Sequence, residues 1–306
     1  MRMLVTGPSG FIGSQVVRGL VADGHDVIAL ARPQSSLERL ADVEGRFAVK
    51  RWEPEDGTLA GALGSWRPDG CIHLAWYAVP GKYLDAPQNV DSMVYAIRLL
   101  DELARAGCGH VVMTGTCAEY DADTGYLRED SPTRPSTLYA AAKLATGLVC
   151  GQRASQVGVG FSWARVFYLY GPHEDSRRMV PSLIRALLEG VEFPATAGDQ
   201  VRDYLHVEDV AAALCKIALN GVGGTYNVCS GEPITVRRFM MEVARTVGRP
   251  ELVRFGALAP GGWQPAFVCG DNERLRSIGW EPGHTLNEGI ADTVAWWKDQ
   301  LKATAS

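Results

Sequence analysis

Met3-Leu4-Val5-Thr6-Gly7-Pro8-Ser9-Gly10-Phe11-Ile12-Gly13 is the stretch whose reading decides the fold. Met3–Thr6 is a short apolar strand. Phe11, Ile12, Val16, Val17, Leu20 and Val21 then recur at helical spacing as far as Asp23. Gly24 stops that helix, and His25–Leu30 reads as the next strand. Between strand and helix lie three glycines. Gly7 suits a tight turn, Gly10 lets the backbone approach a pyrophosphate, and Gly13 lets the helix pack closely on the sheet. The helix N-terminus, with unpaired N–H groups and the positive end of its dipole, then faces an anion.

Outward from this turn the pattern repeats. Strand signals follow at Cys71–Leu74, His110–Thr114 and Gly160–Phe167, with helical patterns at Val90–Ala106 and Leu138–Gln156. Short strands separated by helices imply crossover units, hence an α/β fold built on a doubly wound parallel sheet of Rossmann type. After Gly171 the texture changes. Pro172, Pro181 and Pro194 punctuate the chain, 257–265 is rich in Gly and Pro, and Leu286–Leu301 reads as an amphipathic helix that packs through Trp296 and Trp297. We therefore expect residues 1–170 to form the dinucleotide-binding domain and 171–306 mainly a smaller α+β substrate-binding lobe. Part of 200–230 is expected to return to the first domain. The cleft between them is the expected small-molecule site.

Composition narrows the class. The 306 residues are 46% hydrophobic and 21% charged, which excludes disorder. Asp and Glu (35) outnumber Lys and Arg (30), so no nucleic-acid partner is expected. No apolar run is long enough for a membrane span, and the N-terminus runs straight into the glycine motif without a signal peptide. The seven cysteines are scattered without metal-site spacing, so reduced thiols, no metal and a cytoplasmic location are expected.

Tyr139 and Lys143 are candidates for the chemistry. Four residues apart, they share a helix face. A tyrosine with its usual pKa of about 10 is a poor acid or base at neutral pH. A nearby ammonium and a positive nicotinamide ring favour the phenolate. The partner hydroxyl should come from a strand end, where Thr114 and Thr116 are both available.

Taken together, the glycine spacing, the Tyr-x-x-x-Lys pair and the segments Ile72–Ala75, Asn89-Val90, Arg165–Pro172, Val201–Val210, Thr225–Val228 and Gly279–Pro282 resemble the extended short-chain dehydrogenase/reductase superfamily. Within it the chain is similar to the nucleotide-sugar branch of the NAD-dependent epimerase/dehydratase family. The resemblance spans nearly the whole chain. It selects Thr116, four residues before Tyr120, as the catalytic hydroxyl beside Tyr139 and Lys143. It implies cofactor contacts from Gly7, Gly10, Phe11, Ile12, Gly13, Arg32, Leu74, Ala75, Thr114, Tyr139 and Lys143. Substrate contacts are implied for Thr116, Cys117, Tyr139, Tyr168, Arg177 and Arg202. It also implies a homodimer through a four-helix bundle made by Val90–Ala106 and Leu138–Gln156.

Departures from the pattern shape the expected reaction. The 4,6-dehydratases of this family carry Asp-Glu after the catalytic hydroxyl, where this chain has Cys117-Ala118. The epimerase–reductases place a cysteine two residues after it, where this chain has Ala118. At the end of the second strand, Ala31-Arg32 replaces the acidic residue that holds the ribose hydroxyls of NAD. A guanidinium there grips a 2′-phosphate, with Ser35 and Ser36 as further donors. NADP is thus the expected cofactor and NAD the second choice. The expected reaction is NADPH-dependent reduction of a nucleotide-diphosphate 4-keto-6-deoxy sugar. The competing reading is an NAD-dependent nucleotide-sugar 4-epimerase using the same three residues.

Overall fold

The computed structural model describes residues 1–259, 261 and 264–305. Pro260, Gly262 and Trp263, within the Gly/Pro-rich stretch, lie outside them. In chain order the strands and helices are β1 (Arg2–Thr6), α1 (Phe11–Ala22), β2 (Asp26–Ala31), β3 (Ala48–Arg51), α2 (Leu59–Leu63), β4 (Gly70–His73), α3 (Gln88–Arg105), β5 (His110–Thr116), β6 (Tyr126–Leu127), α4 (Leu138–Val157), β7 (Gly160–Val166), β8 (Tyr168–Tyr170), α5 (Met179–Leu188), β9 (Phe193–Ala195), β10 (Val201–His206), α6 (Val207–Asn220), β11 (Gly224–Val228), β12 (Pro233–Thr235), α7 (Val236–Val247), β13 (Val253–Phe255), β14 (Cys269–Gly270), α8 (Glu273–Ser277) and α9 (Leu286–Ala305).

The main sheet has seven parallel strands in the order β11-β7-β5-β4-β1-β2-β3. Within it, β1 pairs Val5 with Ala29 on one side and with Ile72 on the other. Alternation along β1 sends Met3 and Val5 into one core and Leu4 into another, so both faces are covered. α1 and α6 close the first face through Val16, Val17, Leu20, Val210 and Leu214. α3 and α4 close the second through Leu99, Leu100, Leu103 and Cys150. The doubly wound architecture expected from the sequence is the one found.

The smaller lobe has its own core, in which Tyr170, Leu183, Ile184, Phe239, Val243, Ile290 and Trp297 bring α5, α7 and α9 together. A three-stranded sheet β12-β10-β8 lies at its base. β8 follows β7 after a single residue, and α6 and β11 carry the chain back onto the main sheet. The carboxyl ends of β1, β4 and β5 therefore face the small lobe. Among the described residues, no helix is long and apolar enough to cross a membrane.

Candidate active site

The turn after β1 is built by close approaches that only glycine permits. Gly7 has φ +67°, and a Cβ on it would lie 2.8 Å from the Ala75 nitrogen. A Cβ on Gly13 would lie 2.0 Å from the Gly7 carbonyl oxygen, closing the first turn of α1 onto the loop. Gly10 caps α1 without a side-chain bond, and the first turn carries no acidic residue. Its N–H groups are therefore open to an anion. Phe11 and Ile12 begin the helix half-buried. The Thr6 hydroxyl accepts from Leu74 N–H at 3.2 Å and sits 2.7 Å from His73 Nδ1, locking the β4 end beside the turn. The sequence reading missed Arg39, which donates to the Ser9 carbonyl at 2.9 Å and braces the loop from outside.

Arg32 lies exposed at the end of β2. Its carbonyl and that of Ser35 accept from Arg51 Nη1 at 2.7 and 2.8 Å, and the Ser36 hydroxyl accepts from Glu38 N–H. Arg51 thus closes the 32–35 turn, and Ser36 is engaged by backbone. Tyr95 lies within electrostatic reach of Arg32 and also of Glu53 and Glu55. The Arg32 guanidinium is exposed, and Glu55 lies 3.8 Å from Arg98.

Thr116, Tyr139 and Lys143 converge at the carboxyl end of β5. Thr116 N–H donates to Glu119 Oε1 at 2.8 Å, while its Oγ1 accepts from Ala118 N–H at 3.2 Å. Glu119 is fully buried and takes Arg165 Nε at 2.8 Å and Trp163 Nε1 at 3.0 Å. This buried pair, absent from the sequence reading, fixes the backbone that presents Thr116. Tyr139 lies in the first turn of α4, whose N-terminus Thr137 caps by accepting from Ala140 N–H. Its own N–H donates to the Leu84 carbonyl at 2.8 Å, and its ring meets Tyr83 edge-on at 4.9 Å. Lys143 Nζ donates to the Thr114 carbonyl at 2.8 Å and sits 3.8 Å over the Trp76 ring. It is 6.0 Å from the Tyr139 ring centroid.

Burial dominates the electrostatics of this group. It pushes the Tyr139 phenol upward, reinforced by Tyr83 and opposed by the adjacent Thr116 hydroxyl. It pulls Lys143 down to about 7, with Glu119 opposing. His73 falls to about 3 through burial and the neighbouring Lys143, so it is neutral. In this geometry Lys143 is turned toward Thr114 and Trp76, with its ammonium 6.0 Å from the Tyr139 ring centroid.

The substrate side is aromatic. Tyr168 lies within reach of Cys117, Arg202, Tyr204 and Tyr83, and the Arg202 guanidinium stands 5.3 Å from its ring centroid. Burial pushes the Cys117 thiol up to about 12, leaving it a poor base. Arg202 Nη1 donates to the Val201 and Pro265 carbonyls at 2.8 and 2.9 Å. Asp203 is occupied elsewhere, accepting from Ser230 N–H and Oγ, Gly231 N–H and Gly270 N–H. Arg177 does not join the wall. It folds back on Asp175 at 2.7 Å in an exposed pair. Its neighbour Arg178 instead sits 5.2 Å from the Tyr83 ring centroid.

A parallel sheet with a glycine-lined turn at its switch point, and a Tyr–Lys pair beside a strand-end threonine, defines an extended short-chain dehydrogenase/reductase. The chain matches the NAD dependent epimerase/dehydratase family over residues 3–229, and it belongs to that family, in its nucleotide-sugar branch. It is an NAD-dependent oxidoreductase of that family. It is 31% identical to a UDP-glucose 4-epimerase of Mycolicibacterium smegmatis, with 98% of this chain and 99% of that protein covered. A UDP-glucose 4-epimerase of Thermus thermophilus, solved in complex with NAD, is 26% identical with a TM-score of 0.82 over 97% of this chain and 99% of its own. A dTDP-glucose 4,6-dehydratase of Streptomyces venezuelae, solved with NAD bound, is 27% identical with a TM-score of 0.83 over 99% and 98%.

These likenesses overturn two expectations. The similar solved enzymes hold NAD, which contradicts the NADP reading drawn from Arg32; an exposed guanidinium at the end of β2 does not by itself make a 2′-phosphate site. The relatives include UDP-glucose 4-epimerases and dTDP-glucose 4,6-dehydratases, which contradicts the NADPH-dependent ketoreductase and favours the competing epimerase. The Thr–Tyr–Lys group serves alcohol oxidation and ketone reduction alike, so it could not separate these reactions. The choice of a reductase leaned on the cofactor reading, and it falls with it.

Proposed function

We propose that this chain interconverts a nucleoside-diphosphate hexose and its C4 epimer, with UDP-hexoses as the first candidates and NAD as a resident cofactor. The carrying observation is the segment after Thr116. A dehydratase needs a carboxylic acid there, and Cys117-Ala118 offers none. Glu119, the nearest carboxylate, is committed to Arg165, Trp163 and Thr116 N–H.

NAD fits the residues present, because the Gly7 and Gly13 approaches leave backbone, not side chain, around the open end of α1. When bound, it supplies a reversible hydride acceptor. In this reading Tyr139 takes the proton from the sugar 4-hydroxyl and returns it to the same oxygen once the C4 ketone has presented its other face to the site. Thr116 hydrogen-bonds the same oxygen, and Lys143 holds positive charge beside the phenol. With the cofactor bound, the Lys143 ammonium and the positive nicotinamide ring together would favour the Tyr139 phenolate against the burial that pushes its pKa up. Arg202 is assigned to the diphosphate and Tyr168 to the sugar side. Gly7, Gly10, Phe11, Ile12, Gly13, Leu74, Ala75 and Thr114 are assigned to the dinucleotide within 1–170, with substrate held mainly by 171–306. We also propose a homodimer through α3 and α4 and, from seven free cysteines, a reducing cytoplasmic setting.

The test is incubation of the purified protein with UDP-glucose or UDP-galactose, following epimer formation and NAD released on denaturation. Interconversion without net nicotinamide turnover, reduced about 10²–10⁴-fold by Tyr139→Phe, is expected. Accumulation of a dehydrated keto sugar, or activity unchanged by Tyr139→Phe, would overturn the reading.

A further inference from the structure

A second cluster lies away from the Thr–Tyr–Lys group, where β10 passes into α6 and the 283–285 segment enters α9. His206 ends β10, Glu208 lies in the first turn of α6, and His284 sits just before α9. One donor atom from each falls within 4.8 Å of the others. His206 is 2% exposed, yet neither of its ring nitrogens makes a hydrogen bond. Asp292 Oδ2 stands 3.3 Å from its Nε2 without bonding geometry. A buried imidazole with both nitrogens unsatisfied is costly unless something else uses it.

His284 is oriented for such a role. Its Nδ1 lies 3.2 Å from Asp209 Oδ1, and the Asp209 carboxylate also accepts from Gly283 and His284 N–H. That leaves Nε2 turned outward, 3.7 Å from Glu208 Oε2. The arrangement carboxylate–imidazole–open nitrogen is the one that fixes metal-binding histidines. The centroids of the two rings are 4.2 Å apart. Arg18, whose charge reaches Glu208, is paired with Asp42.

We propose that His206, His284 and Glu208 form a binding site for a divalent transition ion of zinc type, with Asp292 or water completing the shell. Two imidazoles and carboxylate oxygen suit Zn²⁺. Bond lengths of about 2.0–2.2 Å require the donors to draw together by roughly 1 Å. Exposed Glu208 and half-buried His284 have room to do so. The ion would clip α9 and the 283–285 segment to the start of α6, fastening the C-terminal helix without touching Thr116, Tyr139 or Lys143. This site is independent of the epimerase proposal.

The test uses the full chain, freed of metal by chelation, with Zn²⁺ or Co²⁺ alone as probe. One tightly held equivalent per chain is expected, with a rise in Tm and the intense visible absorption of four-coordinate Co²⁺. His284→Ala and, separately, Glu208→Gln should each weaken binding at least tenfold and remove the Tm rise while leaving the metal-free fold intact by circular dichroism. Absence of a stoichiometric site, or affinity unchanged in both variants, would overturn the proposal.

Discussion

Lys143 shows what burial does to a single charge. Its pKa near 7 lies below the value in the unfolded chain, so folding sheds protons between those two values. The sign follows directly. Below pH 7 the ammonium is charged in both states and its full burial cost is present; as pH rises toward 10.5 the cost fades. Lys143→Met is therefore expected to raise the stability of the cofactor-free protein by about 2 kcal/mol at pH 6, after allowing for the lost bond to Thr114, and by progressively less toward pH 10. Activity should fall sharply in the same variant. Thermal melts across pH check this, and a Tm difference independent of pH would refute it. Tyr139 and Lys143 were legible in sequence because an i, i+4 pair stays adjacent on any helix. The Glu119–Arg165 pair was not, because its members lie 46 positions apart and meet only when β5 and β7 pair. Arg32 was misread because its type and its place at the exposed end of β2 do not fix what its guanidinium meets.

At the scale of elements, β1 and α1 were readable because apolar spacing and glycine turn agree. α1 was placed within one residue, from Phe11 to Ala22. The four residues of β3 are all exposed, so no apolar pattern marks it. α6 was quoted as a motif but not recognised as a helix, although nine of its residues are buried against the sheet and α1. The β1–α1 turn carries a prediction of its own. Gly13→Ala forces a methyl toward the Gly7 carbonyl, where only 2.0 Å is available. A loss of about 1–3 kcal/mol in stability and weakened NAD binding are expected. Denaturant unfolding and NAD titration measure both, and wild-type values in either would show that the loop yields without strain.

For the whole molecule, the outer faces of α3 and α4 are the telling surface. Leu148 is 64% exposed and Val149 46%, and Val90 and Val94 on α3 are similarly uncovered at 43% and 39%. Exposed apolar side chains on these two helices support the interface proposed above, in which two antiparallel pairs across a two-fold axis give the four-helix bundle. Leu148→Asp combined with Val149→Asp is expected to yield a monomer by sedimentation velocity with the fold retained. A wild-type protein that sediments as a monomer at micromolar concentration would remove the dimer.

The return of β11 beside β7 has a consequence for any attempt to divide this chain. Gly224–Val228 pairs along Ser162–Val166, so the last strand of the large sheet is supplied by chain that has already built part of the small lobe. A fragment ending near residue 170 would leave β7 as a bare edge and strip α6 from the face where Val16, Val17 and Leu20 are buried. Such an edge invites pairing with other copies. The boundary between the lobes lies in space, not along the chain, and a useful truncation or permutation must keep residues 207–228 with the first 166.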